Sequence, residues 1–170
     1  MIELKKVDLD YLANSSNVIQ TTVNIEAPVE FVFKVFEEGE AWVHSFDSIK
    51  RLVWTTQPPH KKGAARTIDI KLPGQPLLTI DEEFLVWEQN KRFSFYFKRS
   101  NRKVFAAMIE DYKFSPGANA STDITWDLAY EGAGLYRWIF KLIASKVAKD
   151  NQAAMRKFKA HIEERNKLSS

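Results

Sequence analysis

Thr79-Ile80-Asp81-Glu82-Glu83-Phe84-Leu85-Val86-Trp87 is the stretch whose reading decides the fold. Alternation places Ile80, Glu82, Phe84 and Val86 on one face of a strand and Asp81, Glu83, Leu85 and Trp87 on the other. By itself this leaves the buried face open, and the neighbouring strands settle it. Opposed residues of an antiparallel pair share a face, so each turn fixes which parities go together. Across Pro73-Gly74-Gln75, Ile70 faces Leu78, Ile68 faces Ile80 and Arg66 faces Glu82. Across Gln89-Asn90, Val86 faces Phe93, Phe84 faces Phe95 and Glu82 faces Phe97. Across Ser100-Asn101, Phe97 faces Val104, Phe95 faces Ala106 and Phe93 faces Met108. The turn at Pro116-Gly117-Ala118-Asn119 sets Met108 against Leu128, Glu110 against Trp126 and Tyr112 against Ile124. Every strand selects its apolar parity, which argues for one continuous sheet with one buried face. Three charged residues, Arg66, Glu82 and Glu110, fall on that face.

Outward from this sheet the chain reads as follows. Residues 1–17 form a polar lead-in, and 18–168 form a single domain. Val18 to Ile25 is a first strand, ended by Ala27-Pro28. Pro28 opens a helix through Phe36, and a second short helix covers Glu40 to His44. Ser48 to Thr56 is another strand, closed by the loop Gln57-Pro58-Pro59-His60-Lys61-Lys62-Gly63. Four hairpin-linked strands follow, Ala64–Leu72, Leu77–Glu88, Lys91–Arg99 and Arg102–Phe114, and then Ser121–Glu131. Leu135 to about Lys167 lacks Gly and Pro and reads as one long helix. Leu135, Ile139, Leu142, Ile143, Val147, Ala154, Phe158 and Ile162 recur on it at helical spacing, as a buried stripe would. Tyr136, Trp138 and Phe140, flanked by Arg137 and Lys141, pack under the two short helices, close a cavity mouth or touch a membrane surface.

Composition narrows the possible functions. The 170 residues are 45% hydrophobic and include twelve Phe, enough for one substantial core. With no Cys, thiolate metal sites and a Cys nucleophile are excluded. His44, His60 and His161 show no ligand spacing, so neither a metal nor another cofactor is expected. The first eight residues carry acids and no apolar core, unlike a signal peptide, and no apolar run reaches membrane-spanning length. Net charge is only +3, without a basic block interleaved with aromatics, which argues against nucleic acid. A cytoplasmic protein is expected.

The order of these elements resembles the START-like, or SRPBCC, superfamily, which includes polyketide cyclase/dehydrase-like and lipid-transport proteins. The resemblance rests on Ile25-Glu26-Ala27-Pro28-Val29-Glu30-Phe31-Val32-Phe33, on Gly63-Ala64-Ala65-Arg66, on Glu82 through Ser94 and on Thr122-Asp123-Ile124-Thr125-Trp126. Members commonly carry a Pro-containing turn where this chain has Glu88-Gln89-Asn90. The resemblance implies an α+β helix-grip fold, in which a curved antiparallel seven-stranded sheet wraps a long C-terminal helix. Two short helices follow its first strand.

The resemblance further implies an internal cavity for a small hydrophobic or amphipathic molecule such as a lipid, isoprenoid or polyketide-like compound. In that reading Arg66 and Glu82 orient a polar group, while Phe84, Phe95, Phe97, Met108, Trp126 and Tyr130 supply apolar wall. Trp42, Phe46, Trp54 and Phe93 are further lining candidates. Two alternatives stay open. One is a cyclase or dehydratase with Glu82 as general base and Arg66 as oxyanion stabiliser. The other is a protein-interaction module with a filled core and an exposed patch at Trp138 and Phe140. For Glu110 a structural role with Lys91 as partner is expected, and His44 with Asp47 is read as a rim pair.

Overall fold

The computed structural model describes residues 1–15 and 17–169; Ser16, in the expected lead-in, lies outside the described residues. In chain order the elements are β1 (Ile2–Glu3), α1 (Leu9–Asn14), β2 (Val18–Ile25), α2 (Val29–Glu37), α3 (Gly39–Ser45) and β3 (Ile49–Trp54). There follow β4 (Ala65–Ile70), β5 (Leu78–Glu88), β6 (Arg92–Ser100), β7 (Phe105–Pro116), β8 (Thr122–Gly132) and α4 (Tyr136–Ser169). Seven strands run antiparallel in the order β2-β8-β7-β6-β5-β4-β3 and curve around α4 as a half-barrel. The helix-grip architecture expected from the sequence is therefore present.

The pairing of β4 with β5 is the one the turn implied: Arg66 faces Glu82, Ile68 faces Ile80 and Ile70 faces Leu78. Further along, the register departs from the expected one. Phe95 faces Glu110 rather than Ala106, and Phe93 faces Tyr112 rather than Met108, a slip of four residues. The cause is β1. Its two residues pair with Arg99 and Ser100, and beyond it the Leu4 N–H donates to the Lys98 carbonyl while the Lys5 N–H donates to that of Ala106. The chain's beginning thus wedges into a split between β6 and β7, where a direct hairpin was expected. Between β7 and β8 the slip is two residues, so that Met108 faces Tyr130, Glu110 faces Leu128 and Tyr112 faces Trp126. Both slips are even, which preserves the inner-face assignment. A bulge between Phe84 and Val86 does change a face: Trp87, expected outside, pairs with Phe93 and meets Phe33 edge-on at 5.6 Å.

Residues 1–15 are more structured than a polar lead-in. Asp8 caps α1 by accepting from the Asp10 and Tyr11 amides, and Val7 and Leu12 are buried against Tyr96, Ala107, Ile109 and Ala129 on the convex face. On the concave face, α2 contributes Val32, Phe33, Val35 and Phe36, all buried. Phe36 stacks on Phe158 of α4 at 4.3 Å, and Trp42 meets Phe158 edge-on at 5.5 Å. Aromatic side chains therefore fill the centre of the half-barrel.

The long helix departs most from the buried stripe the spacing implied. Ala154, Met155, Phe158 and Ile162 are buried, but Leu135, Trp138 and Leu142 are 73%, 64% and 84% exposed, and Ile139 is exposed as well. Only Tyr136 and Phe140 of the early aromatics are half-buried, and Phe140 rests on Phe105 and Tyr130 rather than beneath α2 and α3. No helix among the described residues is long and apolar enough to cross a membrane.

Candidate functional site

Arg66 and Glu82 project inward from opposed positions on β4 and β5, and each is 2% exposed. The Arg66 Nε donates to Glu82 Oε2. Removing two charges from water costs several kcal/mol per ion, and the surroundings offset part of it. The guanidinium lies 4.5 Å from the ring centres of Trp42 and Phe95, and 5.2 and 5.6 Å from those of Phe84 and Trp54. Such an aromatic box attracts a cation through the ring quadrupoles. Both indoles are fixed by backbone acceptors, the Trp42 Nε1–H by the Phe36 carbonyl and the Trp54 Nε1–H by that of Glu37, each at 2.8 Å. Burial drives the Glu82 carboxyl above its usual range, while the charge and hydrogen bond of Arg66 draw it back.

Glu110 was expected near a strand end, satisfied by Lys91. It instead lies in mid-sheet, where the four-residue slip carries it opposite Phe95, and it is buried. Its partner is Tyr112, two residues on along the same face, whose hydroxyl donates to Glu110 Oε2 at 2.8 Å. Burial, reinforced by the negative charge of Glu82, pushes the Glu110 carboxyl up to about 8, against the opposing effects of Tyr112, Arg66 and Trp126. At neutral pH this carboxyl is therefore mostly protonated and can donate. Burial, followed by the proximity of Glu110, also holds the Tyr112 phenol well above its ordinary value.

A polar line continues from Glu110 to the sheet edge. Trp126 stacks on Tyr112, ring centres 5.2 Å apart and 12° from parallel, and faces Thr21 across the β2–β8 pair. The Trp126 indole approaches the Glu110 carboxyl closely enough for a weak hydrogen-bonding interaction that lowers its pKa, but among the described residues its N–H meets no acceptor at full hydrogen-bonding geometry. The Thr21 hydroxyl and the Asn151 amide nitrogen of α4 are likewise buried and unpartnered. Thr21 also forms part of the wall of a groove of about 200 Å³ between β2 and α4, together with Val23, Gln152, Met155 and Arg156.

The structure draws Arg66, Glu82, Phe84 and Phe95 into one packed cluster. Phe97, 2% exposed, faces Glu82, while Met108 and Tyr130 oppose each other half-buried, one step from Glu110 toward the exposed part of α4. His44 and Asp47 do not act together: Asp47 binds Lys157 Nζ at 2.6 Å, and His44 lies against His161 with ring centres 4.7 Å apart. Among the described residues no group of three or more His, Asp or Glu side chains could hold a metal ion. Sequence reasoning placed Tyr112 on the inner face without giving it a role at the site, and did not single out Thr21, Trp87 or His60. Thr21 and Tyr112 carried a signal in their inward parity. Trp87, edge-on to Trp54 at 5.8 Å, and His60, stacked on it at 3.7 Å, depended on a bulge and on the path of the loop at 57–63, neither of which the sequence reveals.

Comparison with known proteins gives one consistent grouping. Two solved structures similar in fold are a START superfamily protein from Mycobacterium smegmatis and an aromatase/cyclase from Streptomyces sp. R1128. The first has TM-score 0.68 and 16% identity, covering 90% of this chain and 99% of that one. The second has TM-score 0.67 and 12% identity, covering 87% and 94%. An uncharacterised protein of Mycobacterium tuberculosis is 26% identical over 136 residues, 79% of this chain and 77% of that protein. The family model for polyketide cyclase/dehydrase and lipid transport proteins matches residues 17–163, so the chain belongs to that family.

Proposed function

We propose that the domain binds a small, mostly apolar molecule bearing one acceptor oxygen, such as the carbonyl of a lipid, isoprenoid or polyketide-like compound. The observation that carries this reading is the buried Trp126 indole N–H, which among the described residues makes no well-formed hydrogen bond, only a weak approach to the Glu110 carboxyl held neutral beside it. A buried donor without a partner costs about 1–3 kcal/mol, and a ligand oxygen received there recovers it. The Glu110 O–H and the Thr21 hydroxyl supply further hydrogen bonds. Met108, Tyr130, Phe105 and Phe140 offer the apolar surface, between the sheet and the first half of α4. Arg66 and Glu82, with Phe84, Phe95 and Phe97 around them, form the polarised back wall of this site and bias, in opposite directions, the protonation of Glu110 that burial chiefly determines.

Native mass spectrometry of protein from its own host, combined with displacement of a fluorescent apolar probe, tests the reading. A bound species is expected, with roughly tenfold weaker probe binding in Trp126→Phe, equivalent to one lost hydrogen bond. Absence of both bound species and probe binding contradicts it.

A second reading follows from Glu110 itself. A carboxylic acid neutral at pH 7 near a cation has what general-acid catalysis on a carbonyl compound needs. If the domain is a cyclase or dehydratase, this role falls to Glu110 rather than to Glu82, whose carboxylate is tied to Arg66. Turnover would then fall as pH rises through about 8 and vanish in Glu110→Gln. Full activity of that variant rejects the assignment.

A further inference from the structure

Leu135, the residue before α4, and Trp138, Ile139 and Leu142 in the first two turns of the helix stand at i, i+3, i+4 and i+7, a single stripe facing water. The opposite side of the same turns already carries Tyr136 and Phe140 against the body of the domain. Side chains of this kind 64–84% exposed at Trp138, Leu135 and Leu142 require a reason, because each leaves apolar area in water. Their surroundings are cationic. Arg137, Lys141, Lys146 and Lys149 flank the stripe, and from Leu135 to Lys149 there is no carboxylate. Glu131 engages Arg137 and Asp150 engages Lys146, which leaves Lys141 and Lys149 without a carboxylate partner among the described residues. The Lys141 ammonium lies 5.2 Å from the Trp138 ring centre. The neighbouring turn adds exposed Lys103, and is fixed to the start of α4 by the Ala133 N–H donating to the Val104 carbonyl at 2.9 Å.

We propose that this end of the molecule docks on an anionic bilayer surface, with the Leu135–Leu142 stripe immersed at the headgroup–acyl boundary and Lys141, Lys149 and Lys103 against lipid phosphates or carboxylates. Charge selects this occupant: the two uncompensated helix lysines and Lys103 match an anionic surface. Size selects it too. A stripe of four side chains is far below the roughly 20–30 residues per side of a stable protein interface, yet it suits shallow insertion of an amphipathic helix. Trp138 supplies the amphipathic ring, and lysine stems extend along apolar surface while their ammonium groups stay in water. The proposal stands apart from the ligand reading, since it uses only the outer side of the helix.

Co-sedimentation of the full chain with two kinds of vesicle tests it, phosphatidylcholine alone and phosphatidylcholine with about a third phosphatidylserine. The protein is expected to sediment with the second and stay in the supernatant with the first, and added salt should release it. Trp138→Ala/Leu142→Ser should weaken binding at least tenfold. Lys141→Glu/Lys149→Glu should do the same with an unchanged melting curve, because all four side chains are exposed. Wild-type protein that ignores both vesicles overturns the proposal, as does an apolar double variant that sediments like wild type. So does a wild-type dimer in sedimentation velocity that the apolar double variant converts to monomer, which would assign the stripe to a second copy.

Discussion

From Ala154 to Ile162 the C-terminal helix sends Ala154, Met155, Phe158 and Ile162 into the core, with α2, α3 and β2 packed around them. From Leu135, just before this helix, to Leu142 within it, apolar residues recur at the same spacing, and four of them face water. The two halves have the same periodicity and differ in what lies opposite. The short helices meet α4 through Trp42 on Phe158 and His44 on His161, and Asp47 just beyond α3 binds Lys157, whereas Phe140 near the start of α4 rests on Phe105 and Tyr130 of the sheet. A helical stripe thus marks surface that can be covered, and the tertiary neighbours decide whether it is.

The largest expected effect lies in the packed half. Phe158→Ala removes the ring that contacts Phe36 and Trp42 and should cost about 3–5 kcal/mol in urea unfolding. A loss below about 1 kcal/mol would mean that this half is less tightly packed than its aromatic contacts indicate. Arg66→Met leaves the Glu82 carboxylate buried without its cation and should cost about 3 kcal/mol or more, while Arg66→Met/Glu82→Leu should recover most of the loss. Equal damage in the single and double variants would show that the aromatic box, not the ion pair, requires Arg66.

Glu110, between buried Tyr112 and half-buried Met108 along the inner face of β7, sharpens the comparison through pH. Its carboxyl titrates near 8 when folded and near its ordinary value of 4.5 when unfolded, so the folded state holds the extra proton between those values. Stability from this group is therefore greatest below pH 4.5, declines as pH rises, and is lowest above 8. His60 and His161, both lowered by burial, act in the opposite direction, because protonating them favours the unfolded chain. The difference between wild type and Glu110→Gln isolates the carboxyl: chemical-denaturation midpoints should lie closest together at low pH, where the protonated carboxyl resembles the amide, and should shift increasingly in the variant's favour as pH rises from 4.5 through about 8. A pH-independent difference would rule this out. The smallest effect belongs to the open half, where Trp138→Ala should change stability by no more than about 0.5 kcal/mol.

Much of this was legible in the sequence. Parity fixed the inner face because a two-residue period tolerates any even slip, so Arg66, Glu82 and Glu110 were placed inside before their partners were known. What failed depended on non-local facts. Glu110 was assigned to a strand end because nothing in residues 1–5 announces that they will separate β6 from β7. Trp87 was placed outside because one bulge reverses a face without marking the sequence. The buried stripe of α4 was drawn too long because periodicity does not record where the opposing helices stop.

One feature of the sheet bears on the order in which the molecule is made. Among the described residues the only sheet neighbour of β2 is β8, and residue 18 pairs with residue 129. During synthesis the first long strand and the apolar face of α2 therefore emerge about a hundred residues before the strand that receives them, and before the helix that covers Phe36. Closure of the half-barrel is thus a late, long-range event, of the kind that slows folding and leaves sticky surface open to chaperones meanwhile.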